Sequence, residues 1–544
     1  MPKVTHATNI VLCVDGSFND QVNEHENLNT NITRIFKLIK GMTKTGRAQP
    51  VLYQQGVGTT SFFSSERLAT VHKNIDMAFG TATAVENMLA TNYHVISSSY
   101  SHHQGDKLFM FGFSRGAYVT RLTASLIVDI GTFKYSDLQD ESWSKKGMKA
   151  CCAYIVQSWL DAAGNKTKLD KMLAPFSKAL DDRAEVEFLG VFDTVESIGT
   201  PNFGGLDLQS KRYKFAEEIA DRPKILRGYH ALSISEHRAV FKPILWTKNI
   251  SGRKTSDGRP PQELVQTWFP GFHATVGGGD MDASFTVSIL SLVWMMSKCY
   301  KLLDIDEKLL AKLVREAIAI KPSGPIEDSY VGALYKFLGT KYRTELGTGV
   351  NEFAHVSCDP KTWAALIGID AMPNMKGTAA EVVRSDKLEI EKPEKFEQDI
   401  INEIRESRAA KATRKSSTGA ADLPIRSSSN PASFLTGSAH VGPPKGSTVA
   451  RMDEVLAAKK AVQQGAKVQG SATTSTQSTT TAKTQRPITE RSATMGPPAV
   501  TKSSSQPPKA AVRRGTIDRG AVSSASERAT ASKTTQPASG KKAE

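Results

Sequence analysis

The pentapeptide Gly112-Phe113-Ser114-Arg115-Gly116 stands where the apolar run LFMFGF gives way to a helical pattern. A serine in that strand–turn–helix setting is pushed out on a sharp bend, where its hydroxyl can attack an electrophile. A serine hydroxyl is weakly nucleophilic at neutral pH, so it needs a base within hydrogen-bond reach and a carboxylate to orient the base. Asp193, at the end of FLGVFD, and His273, in WFPGFHATVGGGD, are the residues whose types and positions fit those roles. The tetrahedral oxyanion of an acyl transfer also needs donors. The backbone N–H of Arg115 is one candidate, and the Gly16-Ser17 loop after NIVLCVD is the other.

Each of these residues has a plainer role open to it. Asp15 and Asp193 could cap turns or helices. His273 could be a loop histidine, and the glycines of TVGGGD could form a backbone anion nest or a hinge. His102, His103, His230, His237 and His355 are alternative bases, although only His273 directly follows a convincing strand near a glycine turn.

The elements that must position these groups alternate along the chain. Strands are expected at Ile10–Val14, Val51–Tyr53, Leu108–Phe113, Phe188–Phe192, Ile244–Thr247 and Val265–Phe269. Helices are expected at Thr30–Lys40, Thr81–Ser97, Gly116–Ile130, Phe285–Leu303 and Glu307–Ala319. Short apolar runs separated by helical patterns indicate an α/β protein with a mostly parallel sheet covered on both faces. Ligands bind such sheets at the carboxyl ends of the strands, and Asp15, Ser114, Asp193 and His273 all fall there. Their order, Ser114 then Asp193 then His273, is that of the α/β-hydrolase triad.

The chain has 544 residues and a formal net charge of +15. Residues 411–544 carry 21 Lys and Arg against 7 Asp and Glu, a net +14, so the first 410 residues hold only +1. That near-neutrality, with no aromatic-basic motif, argues against specific nucleic-acid binding by the folded part. The organisation expected is a catalytic domain over 1–375, a peripheral helix or linker over 376–410, and a disordered basic tail rich in Ser, Thr, Ala and Pro over 411–544. The five cysteines show no C-x-x-C spacing and suggest reduced thiols. With no signal peptide and no apolar run long enough to span a bilayer, the expected location is the cytoplasm.

Seven blocks then align with one family. NIVLCVDGSFND, TNITRIFKLI, YQQGVGT, FGFSRGAYVTRL, FLGVFDTVESIG, HALSISEHRAVFKPILW and WFPGFHATVGGGD occur in its order over about Thr5 to Asp282, with a weaker echo, NEFAHVS, at Asn351–Ser357. The chain resembles the α/β-hydrolase-like domains that include the bacterial type VI secretion phospholipase effectors. The resemblance implies a serine esterase or phospholipase fold with Ser114 as nucleophile, Asp193 as acid and His273 as base; a reaction of that kind is expected to need no metal or cofactor. Two departures stand out. Phe192 replaces the family's usual tryptophan, and Thr275 stands where an acidic residue is common. The inserts Thr59–Asp106 and Thr132–Asp182 are expected to form a helical cap, with Trp143, Tyr154, Ile155, Trp159 and Leu160 offering an apolar face to acyl chains. The leading expectation is a hydrolase of carboxylic esters, phospholipid acyl esters included. The alternative is a weakly catalytic scaffold whose basic tail recruits partners or anionic membranes.

Overall fold

Alternation along the central strands fixes how the sheet is buried. Strand β1 (Asn9–Val14) sends Ile10, Leu12 and Val14 to one face and Val11 and Cys13 to the other, all without solvent exposure. Strand β3 (Lys107–Phe113) divides in the same way between Leu108 and Met110 and the phenylalanines 109, 111 and 113. Apolar residues on both faces are what a central parallel strand with helices above and below requires. The computed structural model describes residues 7–16, 29–56, 82–134, 147–195, 212–239, 241–250, 261–279, 283–320, 341–367 and 388–418.

Among these, β1 and β3 are joined by β2 (Val51–Gln54), β6 (Phe188–Phe192), β7 (Arg227–Ser233), β8 (Glu263–Phe269) and β9 (Glu352–Ala354) in a seven-stranded sheet of order β2-β1-β3-β6-β7-β8-β9. Every neighbouring pair is parallel. The α/β architecture expected from the sequence is therefore present. From β1 the chain moves outward to β2 and then returns to the other side of β1 as β3. The β1–β3 crevice is thus the point at which strand order reverses, where open parallel sheets form ligand sites.

One face is covered by α1 (Asn31–Leu38), α7 (Ala283–Cys299), α8 (Glu307–Ala319) and α9 (Pro360–Ile367). Local chemistry starts these helices. Thr30 caps α1 by accepting from the Thr33 N–H, and Asp306 caps α8 by accepting from Lys308 and Leu309. The other face is covered by α2 (Ala82–Ser99) and α3 (Ser114–Ile130).

Three segments differ from expectation. Ile244–Thr247 is not a strand. It is an extended stretch whose Ile244 N–H donates to the Thr194 carbonyl and whose Trp246 exchanges backbone hydrogen bonds with the Gln266 side chain. The strand in this part of the sheet is β7, whose sequence RGYHALS carries Arg, Gly and His and gives little apolar signal. The segment expected as a peripheral helix or linker over 376–410 holds α10 (Lys395–Thr418), which runs on into the start of the expected tail, while residues 376–387 lie outside the described residues. Helix α10 drops Ile401 and Ile404, both wholly buried, into the same cluster as α7 and α9.

The helical insertion after α3 exists, but among the described residues its buried apolar side chains pack on the body of the domain instead of facing Ser114. A two-residue antiparallel ladder between β4 (Thr132–Phe133) and β5 (Leu180–Asp181) closes its ends around α4 (Met148–Ala162) and α5 (Lys166–Leu173). Ile155, Trp159 and Leu160 are buried in the cluster that contains Leu89 and Tyr93 of α2. The Trp159 indole donates to Asp129 near the far end of α3, about 22 Å along the helix from Ser114 at 1.5 Å per residue. These side chains fasten α4 to the body, and Tyr154 is exposed. The described part of Thr59–Asp106 is not a cap either, because it holds α2, whose Val85, Leu89 and Tyr93 pack in the core under the sheet; residues 59–81, Trp143 and the tail beyond residue 418 lie outside the described residues. Among the described residues, no helix is long and apolar enough to cross a membrane, and none of the five cysteines is in a disulfide.

Candidate active site

The bend at Ser114 is built by its neighbours. Ser114 has φ +60°, in the left-handed region that costs a non-glycine residue roughly 1–3 kcal/mol. Strand β3 ends one residue earlier and α3 begins at the serine itself. The flanking glycines allow this. A Cβ on Gly116 would lie 2.2 Å from the Asp15 carbonyl oxygen, and one on Gly112 would lie 2.7 Å from the Ala117 Cα. The two glycines therefore let the start of α3 press against β1 and β3, and the G-x-S-x-G spacing has a steric cause in this chain.

His273 and Asp193 converge on the serine. The His273 Nε2 is 2.8 Å from the Ser114 Oγ, and its Nδ1 is 2.6 Å from the Asp193 Oδ2. The carboxylate can only accept, so the proton resides on Nδ1 and leaves Nε2 to accept from the serine. All three residues are buried. Asp193 directly follows β6 and shares the unusual backbone of Ser114, with φ +41°. His273 follows β8 by a short turn, begins the short helix α6 (His273–Gly277) and is held in plane by Phe113 and Phe241, whose ring centroids lie 4.7 and 4.8 Å from the imidazole.

Asp193 is surrounded by donors. The Ser233 N–H and hydroxyl reach it at 2.9 and 3.1 Å, and the Arg343 guanidinium grips both oxygens at 2.6 and 2.8 Å. Burial alone would raise its pKa, but Arg343 and His273 outweigh burial and hold it well below the usual carboxylate range. For His273 the balance goes the other way. Burial, the largest influence, lowers its pKa and Arg238 lowers it further; together they outweigh Asp193 and Glu236, which raise it, so the neutral imidazole is favoured. Glu236 accepts from the His273 N–H at 3.2 Å and is paired with Arg238. Burial raises the Glu236 pKa, but Arg238 overcomes this and brings it to about 2.

Asp15 is placed apart from this line. Its carboxylate accepts from the Gly16 N–H, the Thr30 and Thr33 hydroxyls and the Tyr53 hydroxyl at 2.7 to 3.0 Å. Burial outweighs those bonds and raises its pKa to about 6. The cluster fixes the loop after β1 so that a Cβ on Gly16 would lie 3.2 Å from the Ser114 Cβ. The Gly16 N–H is thus directed at Asp15, Ser17 lies outside the described residues, and the Arg115 N–H stands in the first turn of α3. The glycines after His273 also have a packing role. Gly278, at φ +83°, lies where a Cβ would come within 2.8 Å of the Asn31 N at the start of α1.

The other histidines are used elsewhere. His230 accepts from the Thr194 N–H, and burial lowers its pKa to about 3. His355 bridges Ser357 and Glu397 and so ties the segment after β9 to α10. Of the two departures, Phe192 is wholly buried, and Thr275 is buried with its hydroxyl 3.4 Å from that of Ser284. Sequence reasoning did not anticipate Arg343, Ser233 or the Glu236–Arg238 pair. Only the SEHRAV stretch within one aligned block hinted at the last.

With this geometry in place, residues 8–298 match the type VI secretion system phospholipase effector Tle1-like catalytic domain, more than half of the chain. The chain belongs to this family. The Tle1-like domain supports lipase or esterase activity as a general class. The matched segment contains Ser114, Asp193 and His273 and ends before Arg343. An uncharacterized protein of Saccharomyces cerevisiae, YEL023C, is 26% identical over 255 residues, which cover 44% of this chain and 33% of the yeast protein. The chain thus spans about a third of the length of that curated relative.

Proposed function

We propose that this Tle1-like domain hydrolyses carboxylic esters, phospholipid acyl esters among them, through a covalent acyl-enzyme. The observation that carries the reading is the continuous hydrogen-bonded line Ser114–His273–Asp193, with its serine on a strained bend at the sheet's reversal point. His273 takes the Ser114 proton as the oxygen attacks the ester carbonyl, and Asp193 stabilises the resulting imidazolium. The leaving alcohol departs with that proton, and water then repeats the cycle on the acyl-enzyme. The Arg115 N–H and the Gly16-Ser17 loop are the proposed oxyanion donors, with the N-terminal end of α3 adding its partial positive charge. Because the Gly16 N–H already serves Asp15, Ser17 is the more suitable second donor.

A fluorophosphonate probe tests the reading, followed by ester substrates running from short acyl chains to phospholipid vesicles. Covalent labelling that disappears in Ser114→Ala and His273→Ala, with folding intact, is the expected result. Labelling retained in Ser114→Ala would overturn it. For the basic tail we propose attraction to anionic membrane surfaces by charge alone, supported by its net +14.

A further inference from the structure

We propose that Arg343 is a positioning residue of this site: it holds the Asp193 carboxylate by both oxygens and sets how strongly that carboxylate supports charge on His273. The proposal rests on the reading of Ser114, His273 and Asp193 given above. It also extends the working unit beyond residues 8–298, the segment that matches the family.

The geometry is specific. The Arg343 Nη1 meets the Asp193 Oδ1 at 2.6 Å and also donates to the Ser233 carbonyl and hydroxyl at 2.6 and 2.8 Å. Its Nη2 meets Oδ2 at 2.8 Å and the Phe241 carbonyl at 2.9 Å. Arg343 is 3% exposed, so the pair is shielded from water. One guanidinium therefore touches the acid, the end of β7 that also binds the acid, and the backbone of the phenylalanine stacked on the base. The planar fork of arginine makes this two-pronged hold, and a lysine cannot reproduce it.

Oδ2 is shared between the Arg343 Nη2 and the His273 Nδ1. A buried carboxylate with no cation beside it would draw a proton strongly onto the imidazole. Arg343 offsets that pull and keeps His273 in the neutral form that can accept from Ser114. The other groups facing the pair do not substitute for it. Glu236 and Arg238, after β7, neutralise each other, and His230 of β7 is kept uncharged by burial.

The test is the pH dependence of fluorophosphonate labelling in the full chain, comparing wild type, Arg343→Gln and Arg343→Lys, with thermal melts to confirm folding. In Arg343→Gln the acidic limb is expected to move up by about one pH unit, because the unopposed carboxylate holds a proton on His273. Arg343→Lys is expected to keep the limb near its wild-type position and to lose about tenfold in plateau rate as the carboxylate loosens. A uniform loss at every pH in Arg343→Gln, with the limb unmoved, would mark a merely structural residue and overturn the proposal. So would wild-type behaviour of either variant. If Arg343→Gln does not fold, the plateau rate of Arg343→Lys decides.

The His273 titration, followed by NMR in a Ser114→Ala background with and without Arg343→Gln, needs no turnover. It separates the two claims: absent labelling at Ser114 fails the hydrolase reading, and an unshifted His273 titration fails the Arg343 assignment.

Discussion

Gly116→Ala measures the elbow directly. In an isolated helix the change would be favourable by roughly 1 kcal/mol, since glycine is a poor helix former. Here the new methyl would lie 2.2 Å from the Asp15 carbonyl oxygen, 2.7 Å from the Val14 carbonyl oxygen and 2.8 Å from the Asp15 carbonyl carbon. All three are backbone atoms, and no rotamer can relieve the overlap. The start of α3 must move from β1 by about 1 Å, and overpacking of that kind typically costs about 1–3 kcal/mol, occasionally more. The same displacement carries Ser114 away from a His273 Nε2 that is 2.8 Å from its hydroxyl. Misplacement by about 1 Å costs on the order of 100-fold in rate. The expected outcome is a net loss of about 1–3 kcal/mol in a denaturant titration and a fluorophosphonate labelling rate about 100-fold below wild type. Gly41→Ala is the control, because a Cβ there meets nothing within 4 Å, and its stability should stay within about 0.5 kcal/mol of wild type. A Gly116→Ala protein that melts and labels like the Gly41→Ala control would refute the steric account of the motif.

Four further outcomes are expected. Asp193→Asn should cut labelling by orders of magnitude, whereas Asp15→Asn should retain most of it, and the reverse pattern would reassign the acid. Because the folded Asp15 pKa, about 6, stands above its usual 3.8, its stabilising contribution is present below about pH 4 and is lost as pH rises through 6. Wild type should therefore lose up to about 3 kcal/mol relative to Asp15→Asn between pH 4 and 7, and parallel denaturation curves would refute this. Since burial places the His273 pKa below its usual 6.5, the neutral base persists into mild acid, and half-loss of labelling should fall below pH 6.5. A chain ending after Thr418, which keeps α10 whole, should hydrolyse short-chain esters at the full-length rate and bind anionic vesicles more weakly at low salt. Equal vesicle binding would remove the tail from the membrane argument.

The candidate site was legible in the sequence to the extent that strands announce themselves. Ser114 and Asp193 each follow a run of apolar residues that must be buried on both faces, His273 follows the strand-forming stretch LVQTWF, and a parallel sheet brings the carboxyl ends of such strands to one rim. β7 was hidden by the same logic. Its buried His230 and its Gly228 interrupt the apolar run, and the stretch ILW downstream imitates a strand while serving as a partner to Gln266. The insertion shows a related limit. Apolar residues at helical spacing reveal that α4 has a buried side, but they do not say whether that side meets acyl chains or α2, and here it meets α2.

Arg343 had no local signal at all. In GTKYRTELGTG it resembles a charged residue of a solvated loop, and its partner Asp193 is 150 residues away. Ion pairs of this kind follow from tertiary approach, and no periodicity encodes them. What the sequence did hold was the other half of the problem. An aspartate placed at the end of a wholly apolar strand needs donors or a cation around it if it is to stay ionised, because an isolated buried carboxylate would take up a proton instead. In the proposed mechanism the histidine cannot meet that need alone, since it would have to be neutral while waiting for substrate. Hydrogen bonds from Ser233 supply part of that stabilisation and Arg343 the rest, from outside the residues that match the family.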